Sequence, residues 1–240
     1  MGQSYFIWKG MDCRNMGVRL DGPVAVVRPE ERVEHVTIPG RSGDLTETEG
    51  TDIYNSYIQT ATILVKGAFR LREIWRWLRG SGYVTFSGEP DRKQPARIIG
   101  AVTLNKHSYN LDWWTGEVQF YCQPLKEKLK SETVTVTSSG TAVLNAGDVE
   151  SRPVITMTAS GTSATVAAGG NTLTCSLLLI GHTYLIDAEV QEMTDITTPS
   201  APVSVTKNTS GYFPVLKPGS NSVTGSGWSQ LVIDKRERFL

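Results

Sequence analysis

Three histidines and three cysteines are the residues of this 240-residue chain best suited to nucleophilic or metal chemistry. None stands in a pattern that such chemistry needs. A metal site takes donors at short, paired spacing, as in CxxC or HExxH, because two ligands on one turn must converge on one ion. Cys13, Cys122 and Cys175 are odd in number, far apart in the chain and without a histidine nearby. They read as buried thiols that behave as small apolar side chains, not as a disulfide framework or a zinc site. His35, His107 and His182 are isolated: the first two adjoin candidate strands, and His182 follows Gly181 at a turn. The nucleophile elbow GxSxG, the phosphate loop GxxxxGKS/T and the dinucleotide loop GxGxxG do not occur. Carboxylates are plentiful, but spacing singles out no pair for sugar hydrolysis. The sequence therefore gives no catalytic residue, no metal ligand set and no cofactor site.

Other side chains have chemistry suited to binding. Sugars stack on aromatic faces, and Tyr212 and Trp228 lie in loop-like parts of the second half, so these two are the candidate glycan contacts; packing is the competing reading for both. Trp113 and Trp114, beside Thr115 and Gly116, either cap a sheet or meet a neighbouring subunit. Arg70, Arg72, Arg76 and Arg79 form a basic set that suits a phosphate surface, a solvated helix face or salt bridges between subunits.

The elements that must carry these residues fall into two halves. The whole chain is neutral, with 24 basic and 24 acidic residues, which gives no global attraction to nucleic acid or to an anionic membrane. Residues 1–130 hold 18 Lys/Arg and 15 Asp/Glu; residues 131–240 hold 6 and 9 and are instead dense in Ser and Thr. The charged run 126–131 marks the changeover, and two domains are expected, 1–130 and 131–240. The longest strongly apolar run, Leu177 to Ile180, is far short of the roughly 20 residues that cross a bilayer, so no membrane insertion is expected. Met1 to Lys9 lacks the pattern of a secretory signal, and synthesis in a cytoplasm is the expectation.

Both halves read mainly as strand. Residues 58–65, 97–104 and 117–122 are rich in β-branched and aromatic types, with Val118, Phe120 and Cys122 on one side of the last. One helix is predicted over 69–79, with Leu71, Ile74, Trp75 and Leu78 as its apolar stripe and Gly80 as its stop. Trp77 falls off that stripe and needs a second contact, either under a loop or with another subunit. In the second half, 133–137, 154–158, 172–178, 203–206 and 231–234 alternate as strands, separated by turn signals, which describes a β-sandwich. One connection, 28–52, is unusually long: a short strand candidate over 33–38, then Pro39-Gly40-Arg41-Ser42-Gly43-Asp44, then a polar, acidic tail. A loop of this length is functional or disordered. It is read either as a mobile surface loop or as an arm that reaches a neighbouring subunit, with Arg41, Ser42, Asp44 and Glu47 as contact candidates beside Trp77 and Trp113.

The order of these features resembles a known family. The Ile38-Pro39-Gly40-Arg41-Ser42-Gly43 loop, the strand 58–65, the helix ending Trp75-Arg76-Trp77-Leu78, and the strands 83–86, 97–104 and 116–124 resemble the N-terminal domain of siphophage distal tail proteins. The end of the chain, Phe213-Pro214-Val215-Leu216-Lys217-Pro218-Gly219, then Gly227-Trp228 and a final strand into Lys235 to Leu240, is similar to the closing part of that family's second domain. The resemblance implies a mainly β protein of two β-rich domains, the first sandwich-like with one helix and the second a galectin-like β-sandwich. It implies six copies in a ring hub at the virion tail tip or baseplate. Its implied partners are the tail-tube protein, the tape-measure protein and a tail-associated lysin or receptor-binding protein, with DNA passing through the channel unbound. The competing classes are a carbohydrate-binding adhesin, which needs exposed aromatics in the second half, a tail-tube subunit, and a wall hydrolase, which needs a carboxylate or metal constellation.

Overall fold

The computed structural model describes residues 4–48, 50, 52–67, 70–106 and 112–240. The chain divides into two compact units, residues 1–129 with Leu240, and residues 130–239. Both are built mainly of β-strands.

The first unit contains strands β1 (Phe6–Trp8), β2 (Met11–Asp12), β3 (Val18–Leu20), β4 (Val33–Val36), β5 (Leu45–Thr48), β6 (Tyr57–Lys66), β7 (Ser81–Phe86), β8 (Arg92–Ile99), β9 (Leu104–Lys106), β10 (Trp113–Cys122) and β11 (Lys126–Lys128), with helix α1 (Leu71–Trp77) between β6 and β7. One antiparallel sheet runs in the order β2-β1-β7-β8-β10-β6-β3; β9 adds to β10 and β11 to β8. Its spine is the long pair β6 and β10, in register from Lys66 against Trp113 to Tyr57 against Cys122. Alternation decides which side chains go in: Ala61, Ile63 and Val65 of β6 and Val118, Phe120 and Cys122 of β10 are buried. Phe120 sits at the centre of an aromatic cluster, with ring centroids 5.3 Å from Phe6, 5.6 Å from Trp8 and 5.6 Å from Phe86. The strand expected over 97–104 is divided: β8 ends at Ile99, and β9 begins at Leu104. Gly116 faces this break, where a Cβ would lie 2.1 Å from the Thr103 carbonyl oxygen.

The second unit contains β12 (Thr133–Val136), β13 (Thr141–Asn145), β14 (Val154–Ala159), β15 (Ala164–Ala168), β16 (Asn171–Cys175), β17 (Thr183–Asp187), β18 (Glu192–Asp195), β19 (Val203–Ser204), β20 (Thr209–Gly211), β21 (Gly219–Ser226), β22 (Trp228–Asp234) and β23 (Arg238–Phe239). Two antiparallel sheets, β12-β22-β14-β17-β18-β19 and β13-β21-β15-β16-β20, supply its core. Ile155, Met157, Ile186, Leu231 and Ile233 come from the first sheet, and Val143, Val166, Leu173 and Val223 from the second. This is the sandwich that the alternating Thr/Val pattern predicts. One expectation is corrected: the strand read over 172–178 stops at Cys175, and the apolar run after it is a surface loop in which only Leu178 is buried. Leu177 is 78% exposed.

Candidate functional site

The long connection of the first unit is a β-hairpin. Among the described residues β4 and β5 pair only with each other, Val33 against Thr48, Glu34 against Glu47, His35 against Thr46 and Val36 against Leu45. Below them the ladder continues through the bridge between Glu31 and Tyr54 and through bonds from Arg32 N to Ile53 O and Asn55 N to Glu30 O. The acidic tail read as irregular thus supplies the second strand. At the tip, Gly40 and Gly43 take left-handed backbone (φ +83° and +79°), and Arg41 N–H donates to Ile38 O, which is why two glycines bracket Arg41 and Ser42. Thr37 Oγ1 donates to Asp44 Oδ1 at 2.9 Å and braces the turn. Arg41, Ser42, Asp44 and Glu47 are all exposed, and Val33 and Leu45 are half-buried. A two-stranded hairpin is marginal on its own in water. This one is an ordered arm whose sides are open.

Helix α1 has two faces. Leu71 and Ile74, with Leu78 just beyond the helix, are buried against the sheet. The expected stripe errs in one residue. Trp75 is 45% exposed, while Trp77 packs inward, stacked on Phe6 at 5.5 Å with planes 6° apart. Trp77 Nε1–H donates to Trp8 O, and Trp8 Nε1–H donates to Trp77 O, at 3.2 and 3.1 Å. These mutual bonds satisfy both indoles and hold the half-buried Trp77 against the core of its own unit, the second contact that its place off the stripe calls for. A seven-residue helix turns its residue identity on about 100° per step, and the need to close the aromatic cluster outweighed the i+4 rule at the last turn. Trp75 Nε1–H instead donates to Val102 O at 3.1 Å, which fixes the ring with one face outward. Arg72 and Arg76 flank it and are exposed.

Trp113 is half-buried at the start of β10, with the Arg19 guanidinium 5.7 Å from its ring centroid. It lines a cleft of about 540 Å³ together with Arg14, Arg19, Lys66, Arg70 and Asp112.

In the second unit the two aromatics read as glycan contacts part company. Trp228 is 9% exposed, belongs to the core and donates its Nε1–H to Thr165 O at 3.0 Å. Its ring is not available to a sugar. Tyr212 is 76% exposed. His182 Nδ1 lies 2.7 Å from Asp195 Oδ2, and the ring packs on Tyr184. Burial works to raise the Asp195 carboxyl, but bonds from Thr197 and His182 hold it below its ordinary value. The pair clasps the ends of β17 and β18. His35 Nδ1 meets Thr46 Oγ1 at 3.3 Å on the arm, and His107 lies outside the described residues. All three cysteines are buried, and burial pushes their thiols up, Cys122 to about 12 and Cys175 to about 11. Among the described residues no group of three or more His, Cys, Asp or Glu converges to hold a metal ion. Among the described residues no helix is long and apolar enough to cross a membrane.

Sequence reasoning missed the second strand of the arm and the exposed loop after Cys175. The first had a signal in the alternation of Leu45-Thr46-Glu47-Thr48. The second had none, since a run of Leu and Ile ordinarily signals burial.

No protein-family model matches the sequence, and no curated protein resembles it at a significant level. Solved structures do. The structure of the Dit protein of phage SPP1, described as a paradigm of the hub adsorption apparatus in phages that infect Gram-positive bacteria, matches over 100% of both chains with a TM-score of 0.75 at 19% identity. A protein of the phage p2 baseplate, in its activated conformation with strontium, matches over 96% of this chain and 97% of its own with a TM-score of 0.51 at 10% identity. The chain has the fold of these phage hub and baseplate proteins, through both of its units.

Proposed function

We propose that this chain is a structural protein of a long-tailed bacteriophage, a ring-forming hub of the tail tip or baseplate. The observation that supports the reading is the end-to-end correspondence in fold with a hub adsorption protein, over 100% of both chains. A strand-rich subunit with an open arm suits this role, because cyclic closure lets each copy cover its neighbour's edges without growing a fibre. In this reading residues 1–130 form the ring, six copies to a turn, and the galectin-like second unit is a platform for attachment. The tail tube, the tape-measure protein and a lysin or receptor-binding protein are its neighbours, and DNA crosses the channel without specific contact. The virion tail tip is its place, reached after synthesis in the bacterial host cytoplasm. A glycan-binding adhesin is the weaker reading, since only Tyr212 of its two aromatic candidates is open to solvent.

Native mass spectrometry and negative-stain images of one purified fraction test the proposal. A six-fold ring with an open centre is expected. A strict monomer at every concentration, alone and with the tail-tube protein, overturns it. Deleting Pro39 to Glu49 is expected to weaken assembly and leave the thermal unfolding of the second unit unchanged; full assembly of that variant removes the arm from the ring contacts.

A further inference from the structure

The charges of the first unit are segregated. The arm, 28–55, carries three arginines against seven acidic residues, a net of −4. The rest of residues 1–129 carries fourteen Lys/Arg against eight acidic residues, a net of +6. The neutrality of the whole chain hides an acidic arm on a basic body. Within the arm the carboxylates are not spread evenly. Glu34 and Glu47 are cross-strand partners, so two like-charged side chains leave one face of the hairpin with their Cβ atoms about 5 Å apart. Directly opposed like charges destabilise a strand pair, and among the described residues neither carboxylate has an ion-pair partner. Val36 and Leu45, the next pair on the same face, place two apolar side chains beside them.

The outer face of α1 is the complement of that pattern. Arg72, Trp75 and Arg76 stand at i, i+3 and i+4, one stripe of the helix. Arg72 and Arg76 leave the helix about 6 Å apart along its axis, close to the cross-strand spacing at which Glu34 and Glu47 leave the hairpin. Both arginines are exposed, and among the described residues neither makes an ion pair. Trp75 lies between them with its ring outward and its N–H already used, so what it offers is a flat apolar face. Arg79 follows just past the helix, and Glu73 is the one acidic residue of the helix, on the adjoining side. Tryptophan and arginine are the residues that most often carry the energy of protein contacts, and arginine pairs with carboxylates in a bidentate fork.

We infer that the Arg72–Trp75–Arg76 face of α1 is the docking surface for the arm of a second copy of this chain, with Glu34 and Glu47 on the arginines and Val36 and Leu45 on Trp75. The contact rests on the ring-forming reading above and names the surfaces that make it. It relieves the Glu34–Glu47 repulsion, covers an exposed tryptophan and gives the arm's apolar pair a partner. Each copy presents one arm and one α1, so the contact is head-to-tail, the kind that generates a ring.

A zero-length cross-link tests it in the full-length chain. Arg76→Lys keeps the charge and supplies an amine that carbodiimide couples to a touching carboxylate. The variant is prepared as a mixture of ¹⁵N-labelled and unlabelled copies, so that isotopically mixed peptides report contact between copies. The expected result is a mixed link from position 76 to Glu34 or Glu47, detected even from short-lived pairs. A second variant, Arg72→Glu with Arg76→Glu, is expected to raise the concentration needed for assembly by about tenfold or more, and Glu34→Arg with Glu47→Arg in the same chain to restore it. Rings that form without the link, or that the reversed charges leave unchanged, overturn this inference and leave the hub reading standing. A monomer that shows no link at any concentration, alone and with the tail-tube protein, overturns both.

Discussion

Lys235 is the residue on which burial and charge are most sharply opposed. It is 5% exposed, yet its ammonium lies 2.7 Å from Glu237 and 3.1 Å from Glu132, and it also donates to Leu144 O. Burial alone lowers a lysine, but here the hydrogen bonds that its ammonium donates to both carboxylates outweigh it and hold Lys235 above its ordinary value of 10.5. A pKa raised by folding contributes stability that is complete below pH 10.5 and is lost as pH rises through the folded value. The second unit is therefore expected to lose stability in that alkaline window, and Lys235→Met to remove the dependence. Breaking one side of a buried pair costs about 3–5 kcal/mol, so the variant is expected to unfold at markedly lower urea at pH 7. At this scale the sequence was only half legible. It showed that the cysteines are buried and the histidines isolated, because residue type sets those odds. It did not show that Trp77 turns in and Trp75 out, because that depends on which indole can reach the Trp8 carbonyl.

Elements were more legible than their ends. β6, β10, β12, β14 and β22 announce themselves by alternation of Val, Ile and Thr, and α1 by its apolar spacing and Gly80. Boundaries moved where a contact overrode the local pattern. Residues 219–226, whose two ends carry the turn signals Pro218-Gly219 and Gly225 to Gly227, form β21 between β13 and β15. Gly225 and Gly227 at its end mark tight approach to the backbone of residues 163–165. Gly227 has φ +78°, and a Cβ on it would lie 2.0 Å from Ser163 O. Gly227→Ala combines a left-handed backbone with a clash against another main chain. It is expected to destabilise the second unit by about 2 kcal/mol or more, read by chemical denaturation. The apolar loop 177–180 is the reverse case. Leu178 N–H bonds to Thr162 O, Leu179 N–H to the Tyr184 hydroxyl and Gly181 N–H to Ala159 O, so the backbone is tied down while Leu177, Leu179 and Ile180 stay out and Leu178 alone turns in. Composition alone could not separate a tethered loop from a buried strand.

Across the whole molecule, the drop in charge near residue 130 is the plainest record of two separately built units, each with a core of its own that shares no residue with the other. The fold was legible because strand patterns dominate both halves. The candidate contact surface was not, because Glu34 and Glu47 are thirteen residues apart in sequence and become neighbours only through the register of β4 and β5. The buried thiols carry a practical consequence for the same two units. Cys13 and Cys122 sit in the first core, and Cys175 sits in the second. A thiol that is both sealed from solvent and costly to ionise is inert toward air and toward alkylating dyes until its surroundings open. The native chain should thus stay fully reduced on storage and take up no maleimide. Under partial denaturation, the order in which position 175 and positions 13 and 122 become labelled should report which half opens first, a clock that the protein carries without any engineered probe.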